Sequence, residues 1–262
     1  MSVVDEEFRR AYAEHRAQEG RALDDESLRT LPYLNTGPLV RQWTVRARTF
    51  DVFHRRIVTP MARAKRGPLN VADLGAGNGW LSYRMALSGH RATAIDTRDD
   101  AVDGLGAAAK LSADVSFECV VAPFEHLPFA RSAFDIAVFN ASLHYAQDLS
   151  RVLNEAARVT RSGGVVAILD SPFYKREADG LAMVAEKHRE GAKRFGAKAD
   201  VLLSQNFIEF LTPARLQCAT PQLSWHHHRV LYPLWYEMRP LLALLCGSRP
   251  PSRFDFWTAI VP

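Results

Sequence analysis

Val71-Ala72-Asp73-Leu74-Gly75-Ala76-Gly77-Asn78-Gly79-Trp80 is the stretch on which the fold turns. Leu69 to Leu74 is a short apolar run of the kind that forms a buried strand, and Gly79 to Leu87 has helical periodicity. Between them lie three glycines at every second position. Gly75 permits a tight turn off the strand, Gly77 lets the backbone approach a ligand, and Gly79 lets the helix start close to the sheet.

Outward from this turn, strand and helix alternate with short connections. Strands are predicted at Arg91 to Ile95, Val115 to Val121, Phe134 to Phe139 and Val165 to Leu169, with an Ala-rich helix at Asp99 to Leu111 and another opening at Asp148. Such alternation is the signature of an α/β fold with a doubly wound, mostly parallel sheet. Before the turn, helical periodicity covers Asp5 to Glu19 and Leu39 to Thr59, with Pro60 expected to end or kink the second helix. After Asp170, a charged helix is expected at Asp179 to Arg194 and a shorter one near Asn206 to Leu211. Strand, helix and strand then follow at Gln222 to Val230, Trp235 to Leu245 and Phe254 to Val261. The domain reading is an N-terminal helical lid over residues 1–66 and a core over 67–262 with inserted helices at about 172–220.

The composition agrees with a folded chain. Of 262 residues, 47% are hydrophobic and 24% charged, with 15 Gly and 14 Pro, which excludes disordered and collagen-like classes. Three cysteines, Cys119, Cys218 and Cys246, are scattered and odd in number, and read as small buried hydrophobes in a reducing compartment. The acidic start Met1 to Glu7 lacks the order of a secretory signal, and no apolar run approaches the ~20 residues of a membrane span. A cytoplasmic protein without a membrane partner is expected. Net charge is +4, acidic in the middle of the chain and basic on both flanks, but the flanking arginines are interleaved with acids. That pattern suits solvated helix faces better than a nucleic-acid surface. His226, His227 and His228 alternate faces in a strand, so at most two share a side and no metal site is expected.

In an open α/β sheet the ligand sits beyond the carboxyl ends of the strands, where the strand order reverses. The dinucleotide fingerprint spaces its glycines G-x-G-x-x-G, whereas Trp80 occupies the last position here. Asp73 would repel a pyrophosphate and attract a cation. Asp96 ends the second strand, suitably placed to accept hydrogen bonds from ribose hydroxyls. A nucleoside with a positively charged, phosphate-free tail satisfies both acids.

These residues, followed by Phe124-Glu125-His126-Leu127-Pro128-Phe129, Ser132-Ala133-Phe134-Asp135-Ile136-Ala137, Leu143-His144-Tyr145, Arg158-Val159 and Gly163-Gly164, make the chain resemble the class I S-adenosylmethionine-dependent methyltransferases. Within them it is similar to the broad type 11 group with small-molecule acceptors. The resemblance covers about residues 69 to 171. It implies a Rossmann-like methyltransferase fold with seven strands and S-adenosyl-L-methionine as cofactor. It further implies backbone contacts from Gly75, Ala76 and Gly77, Asp73 at the amino group, and Asp96 with Thr97 at the ribose. Phe124 and Glu125 then fall at the adenine, and Asn140 under the sulfonium. The Asp that commonly meets the adenine amino group aligns with Pro123, so that contact falls to Glu125 or is absent.

For transfer to an oriented acceptor a dedicated base is optional. His144 is the first candidate for one because its ordinary pKa of ~6.5 suits proton removal near neutrality, and Asp170 and Tyr174 come second. Asn140-Ala141-Ser142-Leu143 lacks the Pro-Pro-aromatic run of enzymes that methylate the amino groups of DNA bases or glutamine. Acceptor contacts are expected from the N-terminal helices through Tyr33, Arg41, Trp43 and Arg46. Two other readings stay open: a cofactor-binding partner subunit without its own acceptor site, and an NAD-dependent dehydrogenase, which the glycine spacing and Asp73 oppose.

Overall fold

The computed structural model describes residues 3–111 and 114–262, so Met1 and Ser2 of the N-terminal reading lie outside it. The N-terminal segment holds α1 (Val3–Gln18), α2 (Asp25–Thr30), α3 (Val40–Phe53), a π-helical turn (His54–Val58) and α4 (Thr59–Lys65). Alternation begins with β1 (Asn70–Leu74), α5 (Trp80–Leu87), β2 (Arg91–Asp96), α6 (Leu105–Ala108) and β3 (Glu118–Val121). It continues through β4 (Phe134–Asn140), α7 (Leu149–Val159) and β5 (Thr160–Phe173). The C-terminal part comprises α8 (Glu177–Arg189), α9 (Gly191–Phe195), α10 (Ala199–Leu203), α11 (Pro213–Ala219), β6 (Trp225–His228), α12 (Leu234–Glu237), α13 (Arg239–Leu245) and β7 (Arg253–Ile260).

The seven strands form one sheet in the order β3-β2-β1-β4-β5-β7-β6, with β7 antiparallel to both of its neighbours. The order reverses between β1 and β4, which are parallel and paired from Val71 with Ile136 to Leu74 with Phe139. Every residue of β4 is buried, as expected for a central parallel strand covered on both faces. Asp135 in that strand is tolerated because its carboxylate accepts from Lys65 Nζ, the Asn70 amide and Arg161 Nε, each at 2.7 Å. One apolar layer joins α3 to the sheet through Trp43, Phe50 and Phe53, the last packing edge-on against Phe256. The other layer sets Val152, Leu153, Ala156 and Val159 of α7 against β4 and β5. Asp148 caps α7 by accepting from the Arg151 amide at 3.0 Å.

Several local expectations are corrected. Of the two outcomes expected at Pro60, the chain does not leave the helix there but is distorted just before it, in the π-helical turn His54–Val58. Pro60 sits in the first turn of α4, where its missing N–H costs nothing, and the π-turn before it absorbs the change of register. The Asp99 to Leu111 helix shrinks to Leu105–Ala108 because Asp100 Oδ1 accepts the amides of Val102 and Asp103, holding that backbone in turns. The Val115 to Val121 strand shortens to Glu118–Val121, whereas the strand expected at Val165 to Leu169 lengthens to Thr160–Phe173. Residues 206–211 are irregular, since the amides of Ile208, Glu209 and Leu211 donate to Ala146, His144 and Pro172 instead of to one another. Pro240 splits the expected Trp235 to Leu245 helix into α12 and α13. Cys119, Cys218 and Cys246 are exposed, not buried.

Candidate functional site

A cavity of about 390 Å³ opens at the carboxyl ends of β1, β2 and β4, where the strand order reverses. Its size falls within the range of small-molecule sites. The floor is the turn from β1 to α5. Gly75 has φ +74°, and a Cβ added there would meet Ser142 Cβ at 2.4 Å, so the position requires glycine. Gly79 ends the turn at φ +72° in the αL region, with space for a Cβ blocked by Ala108.

Gly75, Ala76, Gly77, Asp96, Thr97, Phe124, Glu125 and Asn140 all line this cavity. Asp96 Oδ2 accepts from the Gly77 amide at 2.8 Å and Oδ1 from the Arg98 amide at 2.9 Å, so each oxygen keeps a lone pair for a further donor. Burial raises its pKa, against the pull of Arg98. The Phe124 ring packs edge-on against Phe139. Asn140 Oδ1 is buried without a hydrogen-bond partner, an arrangement that calls for a donor from a ligand.

Asp73, the remaining cofactor candidate, does not line the cavity. It is fully buried behind the turn, where Oδ2 accepts from the amide and hydroxyl of Ser82 at 3.2 and 3.0 Å. Burial pushes its pKa up to about 7. Through Oδ2 it braces the first turn of α5, while Oδ1 is buried without a hydrogen-bond partner.

The catalytic candidates are likewise displaced. His144 packs against Tyr145, ring centroids 4.2 Å apart, and its Nδ1 is buried without a partner. Burial, reinforced by Lys187, Arg16 and Arg46, pushes its pKa down to about 3, so the ring is neutral at pH 7 and too weak a base to hold a proton there. Asp170, with φ +53° where the register of β5 shifts between Ile168 and Ser171, is buried and accepts from Thr49 Oγ1 at 2.7 Å. Its pKa rises to about 6 through burial, with Arg46 and Thr49 opposing. Tyr174 is buried and accepts from Arg249 Nη1 at 2.9 Å. None of the three lines the cavity.

Of the acceptor candidates only Arg46 lines the cavity. It is 9% exposed, its nearest acid is Asp170 at 3.9 Å, and its guanidinium lies over the Trp43 ring at 4.8 Å. Burial lowers its pKa to about 10. Trp43 is a core residue perpendicular to Trp80 at 5.7 Å, and it positions Arg46 from beneath. Tyr33 is exposed and donates to Asp51 at 2.8 Å, while Arg41 is exposed over Trp235.

The covering residues that sequence reasoning missed come from α1. Phe8, Tyr12 and Arg16, four residues apart on one helix face, line the cavity with Tyr145, Phe207 and Arg98. The Tyr12 and Tyr145 hydroxyls are 2.8 Å apart, and Arg16 is held by Asp103 at 2.6 Å. Their four-residue spacing was the available signal. Within the expected lid, therefore, α1 covers the cavity, whereas α3 is part of the core and lends it a single side chain.

Residues 72–168 match the family model described as "Methyltransferase domain". The chain is 35% identical over 96 residues to malonyl-[acyl-carrier protein] O-methyltransferase of Hamiltonella defensa, covering 37% of this chain and 35% of that protein. It is 35% identical over 124 residues to 27-O-demethylrifamycin SV methyltransferase of Amycolatopsis mediterranei, covering 46% and 45%. The chain thus spans between about a third and a half of the length of these relatives. In fold it is similar to magnesium protoporphyrin IX methyltransferase of Synechocystis, solved with bound SAH. The TM-score there is 0.58 at 12% identity, over 97% of this chain and all of that one. The YcgJ protein of Bacillus subtilis aligns at TM-score 0.52 and 16% identity, over 79% and 98%. Motif order, the matched segment and the sheet agree: residues 72–168 are similar to the methyltransferase domain family, and the chain shares the fold of solved methyltransferases.

Proposed function

We propose that the protein transfers a methyl group from S-adenosyl-L-methionine to a small-molecule acceptor. The observation that carries this reading is the pairing of opposite charges across one cavity. Asp96 keeps free lone pairs at one side of the glycine turn, and Arg46 keeps free donors at the other. The residues present fit the cofactor. Asp96 takes the ribose hydroxyls, Phe124 and Glu125 flank the adenine, and Arg46 pairs with the methionyl carboxylate. Asn140 Oδ1, which lines the cavity, accepts from the methionyl ammonium, while Asp73 lies behind the turn with Oδ2 bonded to Ser82.

When bound, the cofactor supplies a methyl group on a positively charged sulfur. The chain's own task is to orient the acceptor and keep water out. Tyr12, Tyr145, Phe8 and Phe207 close the cavity from above with aromatic surface. His144 and Asp170 lie outside the lining, so this reading places no side-chain base at the reacting atoms. Acceptors that react in the form present at neutral pH follow from that.

Incubation with cofactor labelled in the methyl group and a panel of carboxyl, hydroxyl, amino and thiol acceptors tests the proposal. Labelled product from at least one class is expected. Tight cofactor binding with turnover only after a second protein is added would instead make the chain a binding partner subunit.

A further inference from the structure

One surface segment is unlike the rest of the molecule. Between Leu231 and Leu245, eight large apolar side chains are exposed: Leu231, Leu234, Trp235, Met238, Leu241, Leu242, Leu244 and Leu245. Tyr232 and Tyr236 anchor the segment in the core, with the Tyr236 hydroxyl accepting from the Phe254 amide at 2.7 Å. Beyond them α13 has no buried residue. Its sequence after Pro240, Leu-Leu-Ala-Leu-Leu, carries no polar side chain, and Leu244 and Leu245 are each 74% exposed. A helix apolar around most of its circumference is stable only where its surroundings are also apolar. A contiguous exposed patch of this kind marks an interaction site.

Charge identifies the occupant. Residues 229–253 contain four arginines and one acid, Glu237, which is engaged by Arg253 at 3.0 Å. Arg229 and Arg239 have no acidic partner within 4 Å among the described residues, and neither does Arg41, whose guanidinium lies 5.6 Å from the Trp235 ring centre. Arg48 repeats the exposed position of Arg41 two helical turns along α3. Leucines and a tryptophan flanked by unpaired arginines are the composition of a segment that lies in the headgroup region of an anionic bilayer. A second copy of the chain would set these arginines against one another across a two-fold contact, which opposes self-association. No helix among the described residues is long and apolar enough to cross a membrane, so the contact is peripheral.

We infer that the α12–α13 segment docks the protein on an anionic phospholipid surface, with Leu241, Leu242, Leu244 and Leu245 entering the interface and Arg41, Arg229 and Arg239 meeting the headgroups. This departs from the sequence expectation of no membrane partner. It does not depend on the proposed catalytic function.

Co-sedimentation of the full chain with phosphatidylcholine vesicles, with and without about a third phosphatidylglycerol, tests it. Binding is expected to the anionic vesicles, weakening as salt is raised. The triple variant Leu241→Ser, Leu244→Ser, Leu245→Ser removes exposed groups only, so its unfolding temperature should be unchanged while vesicle binding falls at least about tenfold. Arg41→Glu with Arg239→Glu should weaken binding to anionic vesicles alone. Failure of the folded wild-type chain to bind anionic vesicles overturns the inference, as does full binding by the triple variant. A dimer in light scattering that the triple variant abolishes, without vesicle binding, would assign the patch to copy-to-copy contact instead.

Discussion

The Asp96 carboxylate accepts the Gly77 amide proton at 2.8 Å, which ties the end of β2 to the turn leaving β1. The acid therefore shapes the glycine turn as well as facing the cavity. Two consequences of one bond can be separated by experiment.

Asp96→Ala should weaken binding of S-adenosylhomocysteine by about 1–3 kcal/mol, the scale for losing a charged hydrogen-bond partner. Asp96→Asn keeps an acceptor for the Gly77 amide and should lose less. Calorimetric titration of both variants reads the difference, and unchanged affinity in Asp96→Ala would refute the ribose assignment.

At Gly75 the backbone is left-handed and Ser142 and Phe124 leave no space for a methyl group. Gly75→Ala is expected to cost about 1–3 kcal/mol of stability through strain and overpacking, and to abolish ligand binding. Urea unfolding gives the first quantity and titration the second. A variant as stable as wild type would show that the turn relaxes.

Arg46 is a buried cation with one distant acid. If its partner is the methionyl carboxylate, Arg46→Ala should reduce affinity for S-adenosylhomocysteine about 10- to 100-fold, in line with a hydrogen bond to a charged group. Affinity for methylthioadenosine, which lacks the amino-acid tail, should stay the same. Equal losses for both ligands would mean that Arg46 acts only on the fold.

Stability should depend on pH through two buried groups of opposite sign. The folded pKa of His144 is about 3 against 6.5. Below pH 6.5 the unfolded chain therefore takes up the proton first, and stability is lost as pH falls toward 3. The folded pKa of Asp73 is about 7 against 3.8. Here the folded chain holds the proton more tightly, so that contribution is complete below pH 3.8 and is lost as pH rises through 7. His144→Gln should flatten the acid side of the stability curve and Asp73→Asn the neutral side, each by on the order of a few kcal/mol. Urea unfolding midpoints between pH 4 and 8 measure both. His144→Gln should also keep its methyl-transfer activity, and a large fall in kcat would restore His144 as a base.

The sheet and its crevice were legible because they rest on local signals. Apolar runs such as Phe134 to Phe139 and the turn Asp73 to Trp80 carry their conformation in a few neighbouring residues. Gly75 follows β1 directly and Asp96 and Asn140 end β2 and β4, and once the strands are aligned their convergence is fixed. What was not legible depends on which way a side chain turns after packing. The sequence places Asp73 toward a cationic ligand, yet its side chain does not line the cavity, and Ser82, nine residues on, supplies both donors to Oδ2 from behind the turn. The arginines and aromatics of α3 drew the acceptor reading, but Trp43 is needed in the core and α1 closes the cavity. The irregular path of residues 206–211 is set by carbonyls of Ala146, His144 and Pro172, which are distant in sequence.

The most direct test is calorimetric titration of the full chain with S-adenosylhomocysteine and, separately, with NAD. The site described here predicts one-to-one binding of S-adenosylhomocysteine and none of NAD. Binding of NAD with no response to S-adenosylhomocysteine would contradict it.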